Sequence, residues 1–164
     1  MKPTLAADHV AIPVADAAAS LAFYRDLLRL PLHAVFEGPD WGGHPWLMMV
    51  FALADGRQLA LCALRGYLPP RVEHPEGTNH IALAATSARA MAAWKRRLTN
   101  RGISFSEEDH GPQRSIYFRD PDQTVVEITW PPSPKLVART RTRGADRIVR
   151  AWIAADADIG DPKS

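Results

Sequence analysis

Cysteine is almost missing from this sequence: Cys62 stands alone in 164 residues. That excludes an intrachain disulfide and a cysteine-rich zinc site. Cys62 sits in the apolar run LALCAL and reads as a small buried hydrophobe. Long hydrophobic runs are missing too, so nothing spans a bilayer. MKPTLAADHV lacks the apolar core of a signal peptide. A cytoplasmic location with no membrane partner is expected. Neither charge sign dominates: Lys plus Arg number 20, Asp plus Glu 18, a net charge of +2. No basic stripe is interleaved with aromatics in residues 1–130, so no nucleic-acid partner is expected. With 46% hydrophobic and 23% charged residues, the composition is that of a globular domain with a real core.

What is present is repetition. Asp8-His9-Val10-Ala11-Ile12 matches Asn79-His80-Ile81-Ala82-Leu83 at an offset of 71. The offset persists from Asp16 onto Ser87, Phe23 onto Trp94 and Leu27 onto Leu98. Further on, Phe51-Ala52-Leu53-Ala54-Asp55 falls on Phe118-Arg119-Asp120-Pro121-Asp122 at an offset of 67. Each copy reads as strand, helix and three strands, an α+β chain of two βαβββ modules. The first module is expected over 6–66, a proline-rich linker over 67–78, the second module over 79–130 and a tail over 131–164. In the first, Asp16 caps a helix from Ala17 to Leu30, and strands follow near Leu32–Phe36, Trp46–Leu53 and Gln58–Leu64. Between the first two of these, GPDWGGHP at Gly38–Pro45 reads as a loop. In the second, Ser87 caps a helix reaching about Arg101, Gly102 suits its C-terminal cap, and strands follow near Ile103–Ser106, Ser115–Arg119 and Thr124–Trp130. In the tail, Ala145–Ala155 is expected as a short docking or subunit-contact helix with Ile148, Val149, Trp152 and Ile153 on one side.

The chemistry gathers around RSIYFRDPDQTVVEITW, Arg114–Trp130. Asp120, Pro121 and Asp122 form a turn between two β-rich runs, so a hairpin is expected with Tyr117 opposite Glu127. Ser115, Tyr117 and Arg119 then share a face with Val125, Glu127 and Thr129. A carboxylate on a buried sheet face needs a cation, a metal or a donor. His9 and His80 occupy equivalent places at the starts of apolar strands. If the modules pack about a pseudo-twofold axis, two imidazoles and one carboxylate meet, a set that suits a divalent first-row metal with positions left open. The alternative is two strand-end histidines bonded to backbone, with Glu127 paired to Arg119 or Arg114. A buried ion pair is a poor source of stability, which weighs against that alternative.

The doubled βαβββ pattern, the strand starts DHVAIPV and NHIALAA, the helix end FYRDLLRLPL and the hairpin YFRDPDQTVVEITW resemble the vicinal oxygen chelate superfamily. It includes glyoxalase I, extradiol ring-cleaving dioxygenases, fosfomycin-resistance thiol transferases and bleomycin-resistance proteins. The resemblance covers about residues 6–130 and implies an incompletely closed eight-stranded barrel around a metal, followed by a C-terminal extension. It implies His9, His80 and Glu127 as metal ligands, Fe(II) or Mn(II) ahead of Zn(II) as the ion, a small-molecule substrate bound through vicinal oxygens, and a homodimer. A fourth ligand, as in glyoxalase I, would fall on Ala60, with Gln58 two residues away; this argues against that activity.

Tyr117 stands ten residues before Glu127, as a tyrosine does in the extradiol and fosfomycin enzymes. His110 resembles the histidine that dioxygenases place beside bound catecholate, where it donates to an oxyanion or positions a hydroxyl. An extradiol-dioxygenase-like oxidoreductase is therefore the first expectation. Two departures stand beside it. No histidine lies between Trp46 and Leu64, leaving His44 as the nearest substitute for an acid–base histidine, and Gln123 replaces the usual turn glycine. Arg114, Ser115 and Arg119 could serve a phosphonate, but the lysine–serine loop of the fosfomycin enzymes is not evident. A bleomycin-type binder needs no metal ligands, and all three are present.

Overall fold

The computed structural model describes residues 7–69, 79–132 and 144–156. The elements run β1 (His9–Val14), α1 (Ala17–Leu21) continuing into a π-helical turn (Ala22–Leu27), β2 (Leu32–Trp41), β3 (His44–Ala52), β4 (Gln58–Leu64), β5 (His80–Ala84), α2 (Ala88–Asn100), β6 (Ser106–Asp109), β7 (Arg114–Arg119), β8 (Val125–Trp130) and α3 (Ala145–Asp156). The strands make two four-stranded sheets, ordered β1-β4-β3-β2 and β5-β8-β7-β6. In each, the first strand lies parallel to the last, and the other pairs are antiparallel. The repeat read from sequence is thus a repeat of topology, and the chain is α+β as expected.

The caps behave as their residue types dictate. The Asp16 carboxylate accepts from the amides of Ala18 (2.8 Å) and Ala19 (3.0 Å), and Ser87 Oγ accepts from Ala90 N (3.1 Å). Gly102, at φ +67°, closes α2 in the left-handed region, with Ile103 N bonded to Leu98 O at 3.0 Å. The first helix stops before Leu30: Leu28 N reaches back five residues to Phe23 O at 2.9 Å, and Arg29 turns to φ +61° ahead of Pro31.

Two expected boundaries shift. Gly38–Pro45 is not an open loop: β2 and β3 run through it, and Gly42 (φ +64°) and Gly43 (φ +90°) make a tight turn between paired Trp41 and His44. Two successive positive φ angles are what a two-residue hairpin turn requires, and glycine supplies them. The second strand of the second half is Ser106–Asp109 rather than Ile103–Ser106. Its place is set by the turn from His110 to Gln113, which pairs Glu108 with Ser115 and Ser106 with Tyr117, while Ile103 and Phe105 pack on the core instead.

One hydrophobic core joins the halves, and helices, not sheet edges, make the joint. Met49, Phe51, Leu59 and Leu61 of the first sheet, Ile116, Phe118, Val126 and Ile128 of the second, and Phe23, Tyr24, Leu27, Met91 and Leu98 of the helices form one cluster. Phe23 meets Phe118 with ring centres 6.0 Å apart. The Tyr24 hydroxyl donates to buried Asp120 at 2.9 Å, and Asp122 accepts from Ala15 N (3.0 Å) and Ser20 Oγ (3.3 Å). Arg97 donates to the carbonyls of Asp26 and Leu27, both at 2.7 Å. The expected barrel is therefore not closed within the chain: the strands remain two separate sheets, each covered on its helix side. The alternate strand positions, which carry His9, Gln58 and Ala60 in one sheet and His80, Ser115, Tyr117, Glu127 and Thr129 in the other, belong to the opposite faces. Part of the expected linker (residues 70–78) and much of the tail (residues 133–143 and 157–164) lie outside the described residues.

Candidate metal centre

Strand register builds the site. Glu127 in β8 lies between Ala82 of β5 and Tyr117 of β7, the pairing the hairpin count anticipates. His80 opens β5 two residues before Ala82, so its ring stands on the Glu127 face. His80 Nε2 and Glu127 Oε2 are 2.9 Å apart. Glu127 is buried, at 7% exposure. Its other oxygen, Oε1, accepts from Ser115 Oγ, which is also 3.0 Å from Thr129 Oγ1. Glu127 thus has a histidine at one oxygen and a buried hydroxyl at the other.

Tyr117 closes one flank. Its ring meets His80 edge to face, centres 6.0 Å apart, and its hydroxyl is 3.1 Å from His110 Nε2. Glu108 Oε2 stands 3.4 Å from the same His110 nitrogen. Burial pushes the Tyr117 hydroxyl above its ordinary pKa; a Ser115 hydrogen bond works against this, and the Glu127 and Glu108 charges add to it. Tyr117 is held as a neutral phenol, a hydrogen-bond donor to an anion.

His9 is elsewhere. It opens β1 beside Gln58, its Nδ1 2.7 Å from Asp8 Oδ1, with the side chain 56% exposed. Among the described residues no group of three His, Cys, Asp or Glu side chains is placed to hold one ion. The expectation that His9, His80 and Glu127 meet within one chain is therefore not met: two of the three come together. The cause is the joint described above, since the halves share their helix-covered faces and the histidines stand on the others.

In the first sheet Ala60 takes the place of Glu127, between Ala11 and Val50. Val50 takes the place of Tyr117 there, so that face offers neither the carboxylate nor the phenol. His44 bonds the Arg65 carbonyl at 3.1 Å through Nδ1 and meets the Tyr67 ring at a tilt, centres 5.5 Å apart, which makes it part of the β3–β4 end. Ser115 holds the carboxylate with Thr129 beside it, and Glu108 stands at His110; strand parity puts Ser115 and Thr129 on the right face but names no partners.

The His80–Glu127 pair fits a divalent cation. Imidazole and carboxylate bonds of about 2.0–2.2 Å, set near a right angle, put the two ligand atoms about 3 Å apart. Neutral imidazole with one anionic oxygen is the donor set of first-row divalent metals.

The sequence profile of the Glyoxalase/Bleomycin resistance protein/Dioxygenase superfamily matches residues 6–128. The chain belongs to this superfamily. Its fold is that of the vicinal oxygen chelate proteins, as solved structures agree. A glyoxalase/bleomycin resistance protein/dioxygenase domain from Frankia sp. EAN1pec superposes with a TM-score of 0.63 at 20% identity, covering 77% of this chain and 98% of the other. Lactoylglutathione lyase from Agrobacterium tumefaciens gives 0.58 at 23% identity, covering 78% and 95%. The fosfomycin resistance protein FosX from Listeria monocytogenes, complexed with Mn(II) and sulfate, gives 0.59 at 18% identity, covering 84% and 99%. No curated protein sequence matches the chain.

Proposed function

We propose that this superfamily member is a divalent-metal enzyme acting on a small substrate through two adjacent oxygens, with extradiol ring cleavage as its reaction. The observation that carries the reading is the His80–Glu127 pair at 2.9 Å on the polar face of the second sheet, with Tyr117 and His110 beside it. His80 Nε2 and Glu127 Oε2 would hold Fe(II) or Mn(II), and His9 from a second copy of the chain would be the third ligand, making the active species a homodimer. The Mn(II) in FosX supports a divalent ion for such a fold. When bound, the ion supplies Lewis acidity and open positions for the substrate oxygens.

The protein's own groups do the rest. Ser115 fixes Glu127 Oε1, so that Oε2 alone faces His80. The neutral Tyr117 hydroxyl donates to an anionic substrate oxygen, and His110 Nε2, within reach of the same hydroxyl, exchanges a proton with it.

Metal analysis and oxygen uptake test the proposal. One Fe or Mn per chain is expected, lost in His80→Ala and Glu127→Ala, with oxygen consumed on addition of a catechol. A bound ion with no oxygen uptake across a catechol panel would replace dioxygenase with an isomerase or thiol transferase. A chain that takes no metal yet binds ligand would be a sequestering module, a reading favoured by Ala60 and Val50 standing in the first sheet where Glu127 and Tyr117 stand in the second.

A further inference from the structure

Three acids in a row, Glu107, Glu108 and Asp109, end strand β6, and each has a different partner. Glu107 turns to Lys95 on α2. Asp109 holds the turn that follows: its Oδ1 accepts from Gly111 N at 2.8 Å, and its Oδ2 is 3.3 Å from a guanidinium nitrogen of Arg114. Glu108 lies opposite Ser115 in the β6–β7 register, so it shares the face of Ser115, Tyr117 and Glu127. Its Oε2 stands 3.4 Å from His110 Nε2, and Tyr117 Oη stands 3.1 Å from that same nitrogen. The His110 backbone is fixed as well, its N–H donating to Gln113 O at 2.8 Å.

We propose that Glu108 is a positioning residue: it keeps a hydrogen on His110 Nε2, which makes Tyr117 Oη an acceptor from His110 and turns the Tyr117 proton toward Glu127 and the open face of the sheet. One nitrogen between two oxygens leaves little choice. An ionised carboxylate only accepts, so a bare Nε2 opposite Glu108 would set lone pair against lone pair. With hydrogen on Nε2, the imidazole serves both oxygens as a donor. Tyr117 has a single proton, and an Oη that accepts from His110 is free to aim that proton elsewhere. Burial apart, the Tyr117 pKa is raised in part by a hydrogen bond with Glu127, so the hydroxyl already points that way. Without Glu108 the reverse chain opens: Nδ1 carries the hydrogen, Tyr117 donates to Nε2, and the face offers a ligand oxygen a phenol lone pair instead of a proton. Glu108 thereby sets whether this face is a donor or an acceptor. Stability is not its role, because His110 and Glu108 are 45% and 57% exposed and such a pair adds little. The use of the proton on an anionic substrate oxygen rests on the metal-enzyme reading above; the place of the hydrogen does not.

Nitrogen NMR of the isotope-labelled, metal-free full chain reads the tautomer. At a pH of about 8, where an ordinary histidine is neutral, long-range proton–nitrogen correlations separate a protonated ring nitrogen from a bare one. His110→Gln identifies the His110 signals among those of the six histidines. Nε2 is expected to carry hydrogen in the parent. Glu108→Ala should raise the ratio of the Nδ1–H form to the Nε2–H form at least about threefold. Adding Tyr117→Phe to that variant should cancel most of the rise, because no hydroxyl is left to donate to Nε2. A purely structural loss at Glu108 would not depend on the Tyr117 hydroxyl. Glu108 is exposed on the edge strand of its sheet, so the melting transition should not move. The proposal is overturned if Nε2 is bare in the parent, if Glu108→Ala leaves the ratio unchanged, or if the rise persists in full beside Tyr117→Phe. These signals are read without metal or substrate, so they stand or fall apart from the dioxygenase reading.

Discussion

Ser115 has one proton to give, and where it goes decides how Glu127 is aimed. The hydroxyl donates to Glu127 Oε1, while its own oxygen stands 3.0 Å from Thr129 Oγ1. Both residues are almost wholly buried, at 2% and 5% exposure, so water does not compete. Removing such a partner from a metal-binding carboxylate typically weakens metal binding about 10- to 100-fold. Ser115→Ala should do so in a Mn(II) titration, and Ser115→Thr should restore most of it; unchanged affinity in the alanine variant would mean that Glu127 aims itself. A second residue-scale prediction concerns Gly38, paired with Trp46 across β2 and β3. A Cβ there would stand 2.6 Å from the indole Nε1, so the ring must move. Gly38→Ala should cost about 1–3 kcal/mol, the usual range for overpacking, read by urea unfolding with a shifted tryptophan emission. At this scale the sequence was legible in parity and not in partners. It put Ser115, Tyr117, Glu127 and Thr129 on one face, because period two needs only counting. It did not show that Ser115 faces the carboxylate, because that depends on rotamers set by packing.

The hairpin turn between β7 and β8 is the element that fastens one half of the molecule to the other. Asp120 is 1% exposed and accepts from Tyr24 Oη (2.9 Å), Asp122 N (2.9 Å) and Thr124 N (2.8 Å). Burial raises its pKa above the ordinary carboxylate value, and these donors offset only part of that rise. The sign follows. The folded chain holds this proton more tightly than the unfolded chain, so the group's contribution is full below the ordinary carboxylate range and is lost as pH rises through the raised folded value. Asp120→Asn should flatten that portion of the stability–pH curve in urea unfolding; an unaltered slope would exclude Asp120 as its source. Tyr24→Phe removes a donor to a buried carboxylate and should cost about 1–3 kcal/mol in the same assay. The sequence announced this hairpin clearly, since Asp-Pro-Asp between two β-rich runs has few other readings. It announced the β2–β3 hairpin poorly: Gly38, Pro39, Gly42, Gly43 and Pro45 look like a loop, yet the bulges and positive φ angles of a long hairpin use the same residues. The π-helical turn at Ala22–Leu27 left no signal either, because its apolar spacing is that of an α-helix.

Across the whole molecule, the duplication is symmetric in backbone and asymmetric in chemistry. Register places Ala60 where Glu127 stands and Val50 where Tyr117 stands, so the first half keeps only its histidine, His9. A lone exposed histidine on an otherwise weakly polar face has nothing of its own to complete. The second half has the converse lack: Glu127 and His80 stand 2.9 Å apart, and among the described residues no third His, Cys, Asp or Glu side chain is grouped with them to hold an ion. Phe36 at 54% and Trp41 at 48% exposure mark the β2 side of the first sheet as unfinished surface. In a twofold dimer each first half meets the other chain's second half, so two equivalent sites form. Mixing separately purified His9→Ala and Glu127→Ala chains distinguishes this from a site closed within one chain. Each homodimer lacks a ligand at both sites, but every mixed dimer joins an intact His9 to an intact His80–Glu127 pair once. With random exchange half the dimers are mixed, so roughly a quarter of the parent's metal and turnover should return. If the metal content of the mixture stays at the level of the two variants alone, His9 does not serve a neighbouring chain, and the three-ligand reading fails while the fold stands.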